Sequence, residues 1–357
     1  MTNRAVVGAW VGSPNLGDEL IFSILLRLLK ELGIEASATS VNPAETNTRF
    51  GIVSFDHLNP FELKKHLAKS DAFIFGGGGL IQNETGIWNL PYHLYRVRAA
   101  RKQNLPWIGI GLGASGVSGQ KALNKVKNAF KDHLGISVRD EQSAQILESI
   151  GIPRVTRSAD LAWLTNRTEG IRPTKFAGIL GVSLRNPQSS KWLPAAIGPR
   201  SSTPDETVSL FAKQIDAASI ATGMTVRFIT MNSKEDKDLH EKVSHEMTVQ
   251  NEVVEADLEN LGETFEGLEA VLTMRYHAGV IGALNGAAVV CLPFSQKLYS
   301  LADDLGPAAS KAFNIEEIVS CLEKVLTTRS QLSEGVEFLR LKAFKNVEVL
   351  GLLGEMK

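Results

Sequence analysis

A chain of 357 residues is long for one small domain and fits two of roughly 150 residues each. Its 43% hydrophobic and 22% charged residues exclude the disordered and fibrous classes. The 38 basic and 39 acidic residues leave a net charge of −1, which argues against general adhesion to nucleic acid or anionic lipid, although a basic patch can hide in a neutral total. Two cysteines, Cys291 and Cys321, cannot build a disulfide framework or a four-thiolate metal site, and they fit a reducing compartment. No apolar run reaches the ~18 residues that span a bilayer. The opening apolar stretch, 5–12, runs into Asn15-Leu16-Gly17-Asp18-Glu19 with no small-residue cleavage pattern. The expectation is a cytoplasmic protein that meets a membrane only through a substrate or a surface patch.

Along the chain, short apolar runs alternate with amphipathic stretches. Residues 5–10 predict a buried strand, and 19–32 predict a helix with Leu20, Ile21, Ile24, Leu25, Leu28 and Leu32 at helical spacing, stopped by Gly33. A strand at 35–41 and a short helix at 61–69 follow. The strand 71–75 is expected to break at Gly76-Gly77-Gly78-Gly79. Then come a helix at 90–103, a strand at 107–110, a helix at 121–133, a strand at 135–138 and a helix at 143–149. The rhythm weakens between 165 and 176 and restarts with strands at 179–184, 225–231, 253–256, 271–274 and 288–292. Helices at 207–222, 233–247, 278–284, 315–327 and 330–353 separate or follow them. This alternation predicts βαβ units: two α/β, Rossmann-like doubly wound domains facing a cleft. The expected boundaries are 1–165, a linker at 166–176, 177–328, and a C-terminal helical segment at 329–357. Ligands of such sheets sit beyond the carboxyl ends of the strands.

Candidate chemistry gathers at those strand ends. Asn15, Gly17, Asp18 and Glu19 lie between the first strand and first helix, where amides can hold an anion and carboxylates can accept sugar hydroxyls; Asp18 equally suits a helix cap. Gly77, Gly78 and Gly79 let a ligand approach backbone amides, but no Gly-Lys-Ser/Thr follows, so this is not a phosphate loop of the Walker type. The run 111–116 has the spacing of a dinucleotide fingerprint but no helix opening behind it, which leaves an NAD-dependent oxidoreductase as a rival of a different class. Arg139 emerges from a strand beside Asp140 and Glu141, able to fork onto a carboxylate or phosphate or to pair locally. Arg185, Arg275, His277 and Lys297 follow strands of the second half and would line an anion site, with Ser295 beside them. Asp236-Lys237-Asp238 reads as a solvated face, and His240 and His245 are not spaced as a helical metal pair; nothing calls for a metal or a redox cofactor.

These segments, in this order, resemble the polysaccharide pyruvyl transferase family, nearest to its CsaB type, which pyruvylates a cell-wall polymer precursor carrying N-acetylmannosamine. The resemblance rests on Asn15-Leu16-Gly17-Asp18-Glu19, the 76–79 glycines with Leu80-Ile81-Gln82, residues 109–113, Ser137-Val138-Arg139-Asp140, Ser158-Ala159-Asp160, Arg275-Tyr276-His277 and Lys297. It implies a glycosyltransferase-B-like fold, phosphoenolpyruvate as donor substrate, no cofactor, and a saccharide acceptor, free or linked to a lipid diphosphate, that becomes a cyclic pyruvate ketal. By carry-over, Arg139 and His277 would contact the donor, Arg275 would add an anion contact, and Lys297 would address an acceptor diphosphate. The family commonly has proline after Ala-Asp, whereas this chain has Leu161, which puts the local turn in question. His277 suits protonation of the donor methylene carbon, with Asp18 or Glu19 the alternative acid. A nucleotide-sugar glycosyltransferase is the rival within the same fold. No nucleic-acid partner is expected.

Overall fold

The computed structural model describes residues 3–83, 86, 88–166, 176–187 and 204–355, so the linker expected at 166–176 falls mostly outside the described residues. The chain forms two units, one of Met1–Ser13, Asp18–Leu164 and Arg340–Lys357, the other of Pro14–Gly17 and Thr165–Leu339.

The first unit has strands β1 (Arg4–Gly8), β2 (Glu35–Ser40), β3 (Val53–Asp56), β4 (Ala72–Gly78), β5 (Trp107–Leu112), β6 (Gly135–Val138) and β7 (Val155–Arg157). They alternate with α1 (Leu16–Glu31), α2 (Pro43–Phe50), α3 (Pro60–Leu67), α4 (Asn89–Lys102), α5 (Gln120–Ala129) and α6 (Glu141–Ser149). The strands are parallel in the order β3-β2-β1-β4-β5-β6-β7. Both faces of a parallel sheet are covered by helices, so its central strands are buried at every position, as β4 and β5 are. Phe73, Phe75, Leu94, Trp107 and Phe130 anchor the core; each such side chain contributes about 1.5–3 kcal/mol on burial. Contrary to the expected break at Gly76, β4 continues to Gly78: Gly76 pairs with Ile110 and Gly78 with Leu112. The end of the last helix, α13 (Leu332–Gly351), belongs to this unit, where Asn346 hydrogen-bonds Ser137 and the carbonyl of Ala159.

The second unit has strands β8 (Ile179–Ser183), β9 (Thr225–Thr230), β10 (Asn251–Glu255), β11 (Leu268–Thr273), β12 (Ala288–Cys291) and β13 (Ala309–Lys311). Its helices are α7 (Pro204–Thr222), α8 (Lys237–Glu246), α9 (Leu261–Thr264), α10 (Tyr276–Leu284), α11 (Gln296–Leu305) and α12 (Ile318–Thr328). The parallel order is β10-β9-β8-β11-β12-β13. Each sheet therefore reverses its winding once, between β1 and β4 in the first and between β8 and β11 in the second. At such a switch point two successive connections leave in opposite directions and open a crevice over the strand ends.

Candidate active site

At the first switch point the loop after β1 meets the glycines ending β4. Gly12 takes a left-handed φ of 76°, and a β-carbon there would press to 2.6 Å from the amide of Asn42. The buried Glu19 carboxylate holds this loop, accepting from the amides of Gly12 at 2.7 Å and Ser13 at 3.3 Å, with Arg49 at 3.5 Å. Burial pushes the Glu19 carboxyl up to about 7, against the opposing pull of the Gly12 amide and Arg49. Gly77 and Gly78 also have left-handed φ, 82° and 89°. The space over Gly77 is taken by Ile21, and a β-carbon on Gly78 would lie 3.3 Å from an Asp18 carboxylate oxygen. These two glycines thus let α1 approach the strand end closely.

Arg139 follows β6 and is buried. Its Nη1 donates to Asp160 Oδ2 at 3.1 Å, and its Nε lies 3.7 Å from Asp140 Oδ2. Two glycines give it room: a β-carbon on Gly113 would stand 2.9 Å from Nε, and one on Gly79 3.4 Å from Nη2. Local pairing with Glu141 does not occur; Glu141 pairs with Arg157, and Asp140 caps α6 by accepting from the Ser143 amide at 2.7 Å. Asp160 also accepts from the Ala162 amide at 3.0 Å, starting the 3-10 turn Leu161–Leu164. Leucine at 161 is therefore compatible with a capped turn. The run 111–116 is not a dinucleotide loop: Gly111 lies within β5, and α5 opens only at Gln120.

In the second unit, residues 14–17 meet the loop after β9. Leu16 N–H donates to the Met231 carbonyl at 2.9 Å, and Asn15 pairs with Asn232 in an isolated antiparallel bridge. The Asn15 side-chain oxygen accepts from the Gly17 amide at 3.3 Å. His277, in the first turn of α10, lays its ring over Gly17; a β-carbon there would sit 2.6 Å from Cγ and 2.7 Å from Cε1. Two motifs far apart in sequence thus become one contact.

Arg275, preceding α10, is held from both ends. Its backbone is fixed by the Thr273 hydroxyl, which accepts from the Arg275 amide at 2.9 Å and donates to its carbonyl at 2.7 Å. Its Nε donates to both Asp236 oxygens at 3.1 and 2.9 Å, and its Nη2 binds Asp236 and, at 2.7 Å, Glu235. Glu235 also accepts from Arg185 at 2.9 Å. Burial pushes the Glu235 carboxyl up, but Arg275 and then Arg185 outweigh it and hold it below the usual range. The expected solvated face at Asp236-Lys237-Asp238 is therefore wrong at its first residue: Asp236 is fully buried, the acid opposite Arg275, while Lys237 and Asp238 stay exposed. His240 is also buried within this cluster, accepting from the Leu184 amide at Nε2 and meeting Thr230 at Nδ1. Burial, with Arg275 nearby, holds it neutral down to about 3.

Beyond β12, Arg185 stacks its guanidinium 4.5 Å from the Phe294 ring centroid. Ser295 is the N-cap of α11 but makes no capping bond, and its buried Oγ has no hydrogen-bond partner among the described residues. Lys297 stands in the first turn of that helix. The second edge thus gathers Asn15, Gly17, Arg185, Arg275, His277, Ser295 and Lys297, and the first gathers Asp18, Glu19, Gly77, Gly78, Gly79 and Arg139. Sequence reasoning missed Glu235, Asp236 and His240, and undervalued Gly113. Among the described residues no group of three or more His, Cys, Asp or Glu could hold a metal ion, and no helix is long and apolar enough to cross a membrane.

Solved structures support the fold. MnaA of S. aureus with UDP superposes with a TM-score of 0.65 at 12% identity, covering 98% of this chain and 95% of that one. Anabaena Alr3699/HepE with UDP-glucose gives 0.60 at 10% identity, covering 99% and 98%. The UDP-N-acetylglucosamine 2-epimerase of Rickettsia bellii gives 0.59 at 10% identity, covering 98% of each. These likenesses establish the glycosyltransferase-B-like pair of Rossmann-like units. No curated protein sequence matches this chain significantly. The polysaccharide pyruvyl transferase model, however, matches residues 15–295, from the Asn15 loop through Arg139 and His277 to Ser295, and by that match the chain belongs to the polysaccharide pyruvyl transferase family.

Proposed function

We propose that this chain is a cytoplasmic enzyme that transfers the pyruvyl group of phosphoenolpyruvate to two hydroxyls of a saccharide, forming a cyclic ketal and releasing phosphate. The observation that carries the reading is the grouping of motif residues at the two switch points, above all the seat of the His277 ring on Gly17 beside Arg275.

The chemistry asks for a proton donor and for cationic groups. His277 protonates the donor's methylene carbon, making C2 electrophilic. One sugar hydroxyl adds to C2 and loses its proton; phosphate leaves as the C2–O bond to phosphorus breaks; the second hydroxyl closes the ring. Atoms balance: the diol loses two protons, the methylene gains one, and the phosphate carries away the other. Arg139 would fork onto a donor oxyanion, as arginine does by charge-assisted hydrogen bonds. Arg275 is bound to Asp236 and Glu235, so it fixes the loop that carries His277 rather than offering both edges to substrate. Ser295, Lys297 and the amides opening α11 suit an anionic group of the acceptor, such as a lipid-linked diphosphate. None of these steps needs a metal or redox cofactor.

The similar folds of MnaA with UDP and Alr3699/HepE with UDP-glucose favour one second reading, a nucleotide-sugar glycosyltransferase. Incubation with phosphoenolpyruvate and a panel of free and lipid-diphosphate saccharides, read by mass spectrometry, separates the two. The proposal expects a product heavier by one pyruvate less water, with one phosphate released per product. Sugar transfer from a UDP-sugar, with phosphoenolpyruvate untouched, would overturn it.

A further inference from the structure

The near-zero net charge conceals a strong asymmetry. From residue 86 to residue 131 the chain carries eight Lys and Arg and no Asp or Glu. This stretch contains α4 and α5, which pack side by side: Arg98 donates to the Lys125 carbonyl at 3.5 Å, and Arg101 to the Asn128 carbonyl at 3.0 Å. Gln103 reaches the carbonyl of Lys64 at the end of α3, so the three helices form one layer on the first sheet. The layer exposes Lys64, Lys69, Lys102, Lys121, Lys125, Lys127 and Lys131, none in an ion pair among the described residues. Of the acids beside it, Glu62 pairs with Lys65 at 3.3 Å and Asp132 with Arg101 at 2.7 Å, while Asp56, exposed before Leu58, is in no ion pair among the described residues.

The same layer carries large apolar side chains in water. Phe61 is 81% exposed, Trp88 77% and Leu58 68%. All three sit at the N-terminal ends of α3 and α4. A helix that follows a parallel strand begins at that strand's carboxyl end, so these residues rim the edge that holds Gly77–Gly79. Nothing in a soluble fold asks for a lysine-rich face edged by exposed Phe and Trp. A bilayer with anionic headgroups asks for both: lysines for the surface charge, aromatic rings for the interfacial layer.

We propose that the α3–α4–α5 face of the first unit docks on an anionic lipid surface, with Phe61 and Trp88 entering the headgroup layer and the lysines resting on the lipid charge. What the membrane would deliver, a lipid-linked acceptor, rests on the proposed function; the docking itself does not.

The test is co-sedimentation of the full chain with phosphatidylglycerol–phosphatidylcholine vesicles and with pure phosphatidylcholine vesicles, at low and high salt. Binding is expected on the anionic vesicles alone, weakening with salt. Each lysine lost near a membrane surface weakens binding about fivefold, so Lys121→Gln/Lys125→Gln/Lys127→Gln together should weaken it on the order of a hundredfold. The side chains of Lys121, Lys125 and Lys127 make no hydrogen bond or ion pair among the described residues, and circular dichroism checks the fold. Binding should also shift tryptophan emission to the blue, and Trp88→Phe should abolish the shift. Absence of anionic-vesicle binding at low salt, or undiminished binding by the triple variant, would overturn the proposal. Binding a soluble polyanion such as dextran sulfate as tightly as vesicles, with unchanged Trp88 emission, would replace the lipid with a polymer and overturn it too. Vesicle binding without pyruvyl transfer would remove the proposed function and leave the docking face; transfer to a water-soluble acceptor without vesicle binding would do the reverse.

Discussion

At the switch point of the first sheet the chain uses glycines. Gly77 and Gly78 admit α1, and Gly79 and Gly113 make room for the guanidinium of Arg139. At the switch point of the second it uses carboxylates, with Asp236 and Glu235 clamping Arg275 and Arg185. At the glycine edge Arg139 bonds the buried Asp160 at 3.1 Å and lies 3.7 Å from Asp140, while Gly79 and Gly113 keep the space beside its Nη2 and Nε clear of side chains. A carboxylate edge fixes its arginines and neutralises them, leaving His277, Ser295 and the helix-borne Lys297 to meet substrate. The two arginines that looked alike in sequence are therefore expected to behave differently when disturbed.

The largest effect should come from His277. Replacing it by glutamine removes a positioned proton donor, a loss of about 10²–10⁴ in turnover, while circular dichroism and donor affinity stay near wild type. Near-normal turnover would pass the role to Asp18 or Glu19.

Next is Asp236→Ala. It strands Arg275 without its buried partner, which costs about 3–5 kcal/mol of stability. Thermal unfolding should show a clear fall in Tm, and an unchanged Tm would mean that Arg275 finds another anion. Gly113→Ala should act oppositely. The three nearest atoms to its new β-carbon all belong to the Arg139 guanidinium, Nε closest at 2.9 Å, so the strain falls on that side chain and its pair with Asp160 rather than on the backbone. The displaced guanidinium should lose a charge-assisted bond worth about 1.5–3 kcal/mol, raising KM for phosphoenolpyruvate roughly tenfold or more. Unchanged donor kinetics would remove Arg139 from the donor site.

The smallest effects separate the edges by pH. His240 is held neutral to about 3 against an ordinary 6.5, so between these values the unfolded chain binds a proton that the folded chain refuses. Its contribution is present above pH 6.5 and fades as pH falls toward 3. His240→Gln, which keeps an acceptor for the Leu184 amide, should flatten this acid limb of Tm against pH. Glu19 has the opposite sign. Its carboxyl is raised from 4.5 to about 7, so its contribution is present below 4.5 and lost as pH rises through 7. Glu19→Gln should remove that decline, and an unaltered pH profile would show that the Glu19 carboxyl titrates alike in the folded and unfolded chain.

Much of the architecture was legible because central parallel strands are continuous apolar runs, as in 73–75, 108–110 and 270–272. The strands left out, β3, β7 and β13, are three or four residues long and lie at sheet edges, where so short a run with one neighbouring strand leaves no apolar signature. The helix α2, Pro-Ala-Glu-Thr-Asn-Thr-Arg-Phe, buries only Thr46 and is started by Asn42 accepting from the Glu45 amide, so it shows no periodic face. Gly17 and His277 were each visible as motif residues, but their contact is tertiary. Asp236 was hidden by its charged neighbours: Lys237 and Asp238 are exposed, and only the fold reveals that the residue before them faces Arg275.

The most direct test of pyruvyl transfer is to run the wild-type reaction in deuterium oxide with phosphoenolpyruvate and a lipid-diphosphate saccharide, then read the product by mass spectrometry and proton NMR. Protonation at the methylene carbon predicts a pyruvate ketal whose methyl group carries one solvent deuterium, formed together with inorganic phosphate, and a His277→Gln reaction that yields it at a small fraction of the rate. A ketal methyl free of deuterium, or a product that gains sugar from a UDP-sugar and no pyruvate, would contradict the account.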